Sequence, residues 1–292
     1  MKNLIYFGDN LKILKKMRSE SVDLIYIDPP FNTKKTQKRT TVKTIRDKNG
    51  DRTGFKGLTY KTIELDTLEY HDSFGKDEYI IDFLEPRLTE AYRLLKPNGS
   101  LYFHIDYREV HYCKILLDHI FTRECFKSEI IWAYDYGGKS KNKWPAKHDN
   151  ILFYVKNAKK YTFNVNDIDR IPYMAPGLVG PEKAARGKLP TDTWWHTIVA
   201  TTSNEKTGYP TQKPLGIIDR IVRASSNPGD IVLDFFAGSG TTGFSCYKLN
   251  RRFILIDNSR QAWDTMVSRF NGITDIEWIK HNPKKSRSTK KK

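Results

Sequence analysis

The sequence predicts an open α/β fold, a doubly wound sheet with two long insertions. Two strand-helix-strand stretches and the acidic residues that end their strands carry this expectation. The first runs from residues 4–7, through a helical spacing of Leu11, Leu14 and Met17, to the apolar run Val22–Ile27. The second runs from residues 231–235, through a glycine turn and a helix, to residues 253–256. A short continuous apolar run bounded by turn residues reads as a buried strand. In such sheets ligands bind beyond the carboxyl ends of the strands, so the residues that follow each run are the candidate site.

At 292 residues the chain can bury a full core, and one main domain with insertions is expected. Fifty Lys and Arg against 34 Asp and Glu give a net charge of +16, and 13% of residues are aromatic. Clustered basic charge on a folded protein points to a polyanionic partner, with nucleic acid first. Cys113, Cys125 and Cys246 form no CxxC pair and leave an odd count, which argues against a disulfide framework or structural zinc. The first apolar run is too short for a signal peptide, and no later run approaches membrane-spanning length. A soluble, cytoplasmic protein without a membrane partner is expected.

Residues 4–7 end at Gly8-Asp9-Asn10, where Asp9 or Asn10 can cap the next helix. Asp9 thus lies at a carboxyl strand edge, with capping as its competing role. Val22–Ile27 leads into Asp28-Pro29-Pro30-Phe31. Proline fixes its own φ and drives the preceding residue toward extended backbone, so Asp28 and Pro29 are held out of helix. Such a turn offers two acceptors and a flat ring to a planar amine, and simple strand termination competes with that reading. Residues 34–56 carry nine Lys or Arg, among them Lys34, Lys35, Lys38 and Arg39, without an apolar period. They are read as part of a basic mobile loop over 34–76 that closes on phosphates.

Helical spacing returns over 77–95 with a bend at Pro86, followed by a strand over 100–105, a helix over 107–120 and strands over 129–134 and 151–155. Between the last two strands, Lys139, Lys141, Lys143 and Lys147 are interleaved with Trp144, a composition suited to a nucleic-acid backbone and unstacked bases. His104, His111 and His148 sit in no metal-ligand spacing and are read as packing or surface residues, so no metal site is expected. Residues 157–205, divided by four prolines, are taken as an inserted recognition region in which Trp194 and Trp195 are read as core anchors, with base stacking as their competing role.

After Pro214 the pattern is a helix over 215–224, a strand over 231–235, the turn Phe236-Ala237-Gly238-Ser239-Gly240-Thr241-Thr242, a helix over 242–249, a strand over 253–256, Asp257, and a helix through Phe270. Gly238 and Gly240 let the backbone approach a ligand closely. Asp257 can accept hydrogen bonds from both hydroxyls of a ribose, with helix capping as its competitor. Together they describe an adenosine-containing cofactor over the strand edge. The turn is not GxGxxG and no Lys follows its second glycine, which argues against a dinucleotide site and a P-loop. The last 13 residues hold seven Lys or Arg and read as a disordered basic tail.

Asp-Pro-Pro-Phe at 28–31, the glycine turn at 236–242 and Tyr-Pro-Thr-Gln-Lys-Pro at 209–214 together resemble the amino-methyltransferases that modify exocyclic amines of DNA bases with S-adenosylmethionine. The tetrapeptide precedes the glycines, as in the β group of that family. The resemblance covers most of the chain, with 34–76 and 157–205 its vaguest parts. It implies a Rossmann-like methyltransferase sheet with permuted motif order and inserted DNA-recognition loops. It implies that Asp28, Phe236, Gly238, Ser239 and Gly240 line the cofactor pocket, that Asp257 holds the ribose and that Asp9 contacts the adenine. Thr211, Gln212 and Lys213 would lie near the methionine end, where the Lys213 ammonium pairs with the carboxylate. Asp257 stands where Glu is commoner, and either carboxylate holds a diol.

An adenine N6 lone pair is delocalised into the ring, so acceptors must engage its N–H groups before it can attack. Asp28 and the Pro29 carbonyl are suited to that, Pro30 and Phe31 complete the tetrapeptide, Phe31 stacks on the flipped base and Asn32 positions its edge. The expected division is 1–33 with 77–156 as the catalytic half, 34–76 as the loop, 157–205 as the recognition region, 206–278 as the cofactor half and 279–292 as the tail. Site-specific adenine-N6 methylation of double-stranded DNA is the expected function, in a restriction-modification setting with a cognate endonuclease, and a homodimer is left open. Cytosine-N4 methylation uses the same amine chemistry and remains the alternative, followed by a DNA-binding module without activity. Cytosine-C5 chemistry needs a thiolate, and no cysteine here follows a proline. A nicotinamide-dependent oxidoreductase is disfavoured by the missing fingerprint.

Overall fold

The computed structural model describes residues 2–32, 35–46, 49, 52–53, 59–72, 78–200 and 202–281. The chain forms two units, Met1–Pro29 with Ile80–Lys292, and Pro30–Tyr79. In the larger unit β1 (Asn3–Phe7), α1 (Asn10–Leu14) and β2 (Val22–Ile27) come first. The smaller unit is a three-stranded antiparallel sheet of β3 (Lys35–Arg46), β4 (Arg52–Thr53) and β5 (Thr59–Asp72) in the order β3-β5-β4. The larger unit continues with α2 (Glu85–Leu94), β6 (Leu95–Asp106), α3 (Val110–Phe121), β7 (Phe126–Ala133), β8 (His148–Val155), α4 (Pro181–Arg186) and β9 (Thr193–Trp195). It closes with α5 (Leu215–Ser225), β10 (Ile231–Asp234), α6 (Thr241–Lys248), β11 (Arg252–Asp257), α7 (Arg260–Arg269) and β12 (Ile276–Lys280).

The nine-stranded sheet runs β12-β1-β11-β10-β2-β6-β8-β7-β9. From β12 through β6 neighbouring strands are parallel, and β8 is antiparallel to both β6 and β7. Every residue of β2 is buried, because the apolar run that predicts the strand is covered on both faces. One helix layer joins α5 and α6, and another joins α1, α2 and α3. Asp23 lies within the buried run and is neutralised by Lys96 Nζ, 2.8 Å from each oxygen. From β10 the chain crosses through α6 to β11, while β2 flanks β10 on its other side. The expected doubly wound sheet is therefore present, with its switch point between β10 and β2. Phe103 is fully buried in β6, opposite Leu152 of β8. Phe103→Ala should lower stability by about 3–5 kcal/mol, read as a reduced urea midpoint.

Several expectations are corrected. The predicted loop at 34–76 contains β3, β4 and β5. Thr36, Thr40, Thr41, Val42, Thr44 and Ile45 supply β-branched residues that the basic composition obscures, and the register sets Lys38 opposite Glu69. The helix expected over 77–95 is a π-helical stretch, Glu78–Leu84, followed by α2, with Pro86 in the first turn of α2 where its missing donor is tolerated. Lys96 to Gly99, between the expected helix and the strand expected over 100–105, forms an irregularity in β6, whose register jumps between Val22↔Leu95 and Leu24↔Ser100.

Within 157–205, β9 extends the main sheet through Trp132↔Trp194. Trp194 is buried, whereas Trp195 is 76% exposed because alternate residues of a strand face opposite sides. At the carboxyl end, β12 takes Ile279 and Lys280 out of the expected tail, pairing them with Tyr6 and Phe7. Alternating Ile276 and Trp278 carry that strand, with Trp278 edge-on to Trp263. Residues 282–292 of the tail lie outside the described residues.

Candidate active site

Parallel pairing brings four carboxylates to one edge of the sheet. The register sets Phe7 beside Asp257 and Asp234 beside Leu255, so Asp9, Asp28, Asp234 and Asp257 all stand at or just beyond carboxyl strand ends. Asp28 follows β2, and Pro29 behind it is buried. One Asp28 oxygen, Oδ2, lies 2.6 Å from Lys213 Nζ. The other, Oδ1, is buried without a hydrogen-bond partner and lies 3.7 Å from His104 Nδ1. Pro30, Phe31 and Asn32 belong to the smaller unit, where Asn32 has a left-handed φ of +50°.

His104 was read from sequence as packing or surface, and it is a fully buried member of a polar chain. Its Nδ1 is 2.8 Å from the Tyr26 hydroxyl and its Nε2 is 3.2 Å from Asp149 Oδ2. The other Asp149 oxygen accepts from the Tyr134 hydroxyl at 3.0 Å. Burial alone would raise the Asp149 carboxyl, yet the His104 bond and the charges of His104 and Lys213 hold it below the ordinary value. Burial, then the charge of Asp28, pushes the Tyr26 hydroxyl well upward.

The glycine turn is held from both ends. Gly238 (φ +50°) donates its N–H to Asp257 Oδ2 at 2.8 Å, and Ser259 donates to Asp257 Oδ1 at 2.8 Å. A Cβ on Gly238 would lie 3.1 Å from the Tyr209 ring, a tight contact on a residue whose φ already favours glycine. Gly240 (φ +73°) opens α6. Phe236 packs obliquely against Phe83 and Phe235, and the Ser239 hydroxyl meets that of Thr241 at 3.0 Å. Helix α7 is capped by Ser259, whose hydroxyl accepts from Ala262, so capping is not the role of Asp257. Asp9 does cap α1, accepting from Leu11, with Lys12 and Arg87 at 3.5 and 3.7 Å. Arg87 donates to Asn10 Oδ1 and Asn10 donates to the Phe235 carbonyl, each at 2.7 Å, which ties α2 to the turn.

Lys213, expected on a cofactor carboxylate, pairs with Asp28 because its segment runs past the end of β2. Gln212 is committed within its own loop, accepting from Thr207 and donating to the Glu205 carbonyl, while Thr211 is exposed. Lys139, Lys141, Lys143 and Trp144 are all exposed, Trp144 by 96%. Lys35, Lys38 and Arg39 lie on β3, their side chains and all of Lys34 falling outside the described residues. No cluster of residues able to hold a metal occurs among the described residues.

A family model described as a DNA methylase, for N6 and N4 enzymes, matches residues 22–268. The chain belongs to the N6/N4 DNA methylase family. This methylase is 34% identical over 272 residues to the type II methyltransferase M.HpaI of Haemophilus parainfluenzae, covering 91% of this chain and 75% of that protein. It is also 34% identical over 266 residues to the DNA adenine methyltransferase YhdJ of Escherichia coli K12, covering 87% and 77%. The crystal structure of M1.HpyAVI with S-adenosylmethionine superposes with a TM-score of 0.56 at 24% identity, over 92% of this chain and 98% of that one. The cytosine-N4-specific PvuII methyltransferase does so with 0.62 at 17%, over 94% and 89%. At these identities the superpositions show the fold, a Rossmann-like methyltransferase sheet.

Sequence reading of the methylase missed Tyr26, His104, Asp149, Arg87 and Asn10. A buried-strand pattern assigns a polar residue such as His104 to packing, and only the pairing of β6 with β8 brings Asp149 to it. Asp234 adds a pH-dependent term to the same edge. Burial pushes its carboxyl up to about 7, although Thr242 and the Phe236 N–H bond its oxygens. A carboxyl raised on folding gives stability that is present below the unfolded value and lost as pH rises through the folded one, here between about pH 4 and 7. Asp234→Asn mimics the protonated form, so its urea-derived stability should gain about 2 kcal/mol on wild type between about pH 5 and 7.

Proposed function

We propose that this methylase transfers a methyl group from S-adenosylmethionine to N6 of a flipped adenine in double-stranded DNA. The observation that carries the reading is Asp28, whose buried, unpartnered Oδ1 stands on the same strand edge as the glycine turn. An acceptor buried without a donor is available to one that arrives with a ligand. The N6 amine has two N–H groups, which Asp28 and the Pro29 carbonyl would accept. The amine lone pair is then less drawn into the ring and better aimed, so catalysis is alignment plus stabilisation of the charge developing on nitrogen. Adenine is favoured over cytosine by the kinship with an adenine enzyme across 87% of the chain.

The residues present fit the cofactor. Phe236 offers a ring face, and the Asp257 carboxylate retains lone pairs beyond its bonds to the Gly238 and Ser259 N–H groups for ribose hydroxyls. Asp9 would meet the adenine, with Ser239, Gly240 and Thr211 along the pocket and Gln212 holding its loop. When bound, S-adenosylmethionine supplies an activated methyl. Phe31 would stack on the extruded base, and the exposed Lys139, Lys141, Lys143 and Trp144 would meet the DNA. Residues 157–205 would read sequence, and the enzyme would protect bacterial or phage DNA in the cytoplasm beside a cognate endonuclease.

The test is to incubate wild type with labelled S-adenosylmethionine and mixed-sequence duplex DNA, then to digest the DNA and identify the labelled nucleoside. N6-methyladenine is expected. N4-methylcytosine would reassign the substrate, and no product despite cofactor binding would overturn the reading.

A further inference from the structure

We propose that His104 takes up the proton released when the amine held by Asp28 is methylated, with Asp149 stabilising the imidazolium that forms. The inference rests on the amine-methylation reading above. A methylated amine carries one proton too many: the N–H bond breaks, its electron pair stays on nitrogen, and the proton passes to Asp28 Oδ1 and then to His104 Nδ1, whose lone pair is freed as the Tyr26 hydroxyl turns to accept from the new N–H.

The geometry sets this path. Lys213 occupies only Oδ2 of Asp28, while Oδ1 is unpartnered and faces the imidazole at 3.7 Å. At Nε2 the anionic Asp149 keeps a proton on that nitrogen, which leaves Nδ1 as the acceptor. Nδ1 is met by the Tyr26 hydroxyl at 2.8 Å, so Tyr26 and Asp149 already satisfy the ring as a buried group. Packing therefore gives no reason for a third polar atom beside it, yet that atom belongs to the residue that binds the amine. Among the described residues, the groups around the ring include Asp28 and Tyr26 from β2 and its end, Asp149 from β8, Tyr134 beyond β7, Lys213 before α5, and Trp132 edge-on at 5.6 Å. The Asp149 side chain is 13% exposed while His104 is sealed, so the carboxylate lies on the side open to water.

The test compares wild type, His104→Asn and Asp149→Asn in single-turnover methylation at saturating DNA from about pH 5.5 to 9. His104 ring resonances are followed by NMR in ligand-free wild type and Asp149→Asn. Wild-type rate should rise with pH as the imidazole loses its proton. Asp149→Asn should move that inflection, and the ring titration, about one unit or more to lower pH, because an anion stabilising the imidazolium is gone. His104→Asn should remove the inflection. Both variants should lose at least ~100-fold in rate with KM for DNA unchanged. Variant profiles that superimpose on wild type, or losses confined to KM or thermal stability, would overturn the proposal. Should His104→Asn fail to fold, Asp149→Asn and the NMR titration decide. Failure of methyl transfer in wild type would instead sink the underlying reading.

Discussion

Asp28→Asn should lower the rate of methyl transfer ~1,000-fold or more while changing cofactor affinity less than about tenfold. The carboxylate is the proposed acceptor of the amine, and the substitution replaces an anionic acceptor with a neutral amide that offers one acceptor atom instead of two. It also removes the charge opposite Lys213, whose ammonium lies 2.6 Å from Asp28 Oδ2. The uncompensated ammonium would then repel the charge developing on the amine. Among the described residues the Asp257 carboxylate is bonded to the Gly238 and Ser259 N–H groups rather than to Asp28, so cofactor binding should survive. Single-turnover rates and equilibrium dialysis with S-adenosylmethionine separate the two effects. A variant that keeps more than a tenth of wild-type rate would show that Asp28 does not carry the chemistry.

Asp257→Ala should weaken S-adenosylmethionine binding about 100-fold or more, which corresponds to about 2.7 kcal/mol. The side chain has two tasks. Its oxygens accept the N–H groups of Gly238 and Ser259, which hold the glycine turn and the entry to α7, and its remaining lone pairs would serve the proposed ribose. Losing hydrogen bonds to a charged acceptor costs about 1.5–3 kcal/mol each, so the turn should loosen as well. Calorimetry should show the affinity loss, and thermal unfolding a lower midpoint. Asp257→Glu provides the control, since a carboxylate remains and the longer arm should recover part of the binding. Unchanged affinity in Asp257→Ala would remove the ribose role and leave only the backbone one.

Much of the fold was legible because the strands that bear the site are buried on both faces and appear as plain apolar runs. Val22–Ile27 is the clearest, and the turn after it contains prolines whose effect is local. The glycines at 238 and 240 were legible for a related reason, since φ values of +50° and +73° are conformations that glycine adopts without strain. By contrast β3 and β5 were read as loop, because charge dominated the composition and their pairing is with each other rather than with a core visible in sequence. β12 was missed because its two alternating apolar residues are too few to stand out from the basic tail beside them.

Local chemistry by itself thus determined the strand ends, the order of the motifs and the residues able to serve as acceptors. The side-chain partnerships were decided only by the tertiary structure. Lys213 reaches Asp28 because the segment before α5 passes the end of β2. His104 reaches Asp149 because β6 and β8 pair antiparallel, with Asp106 opposite Asp149. Asp257 binds the Gly238 N–H because β10 and β11 run side by side. A hydrogen bond requires its atoms within about 3 Å, and for residues this far apart in the chain that distance is set by sheet register.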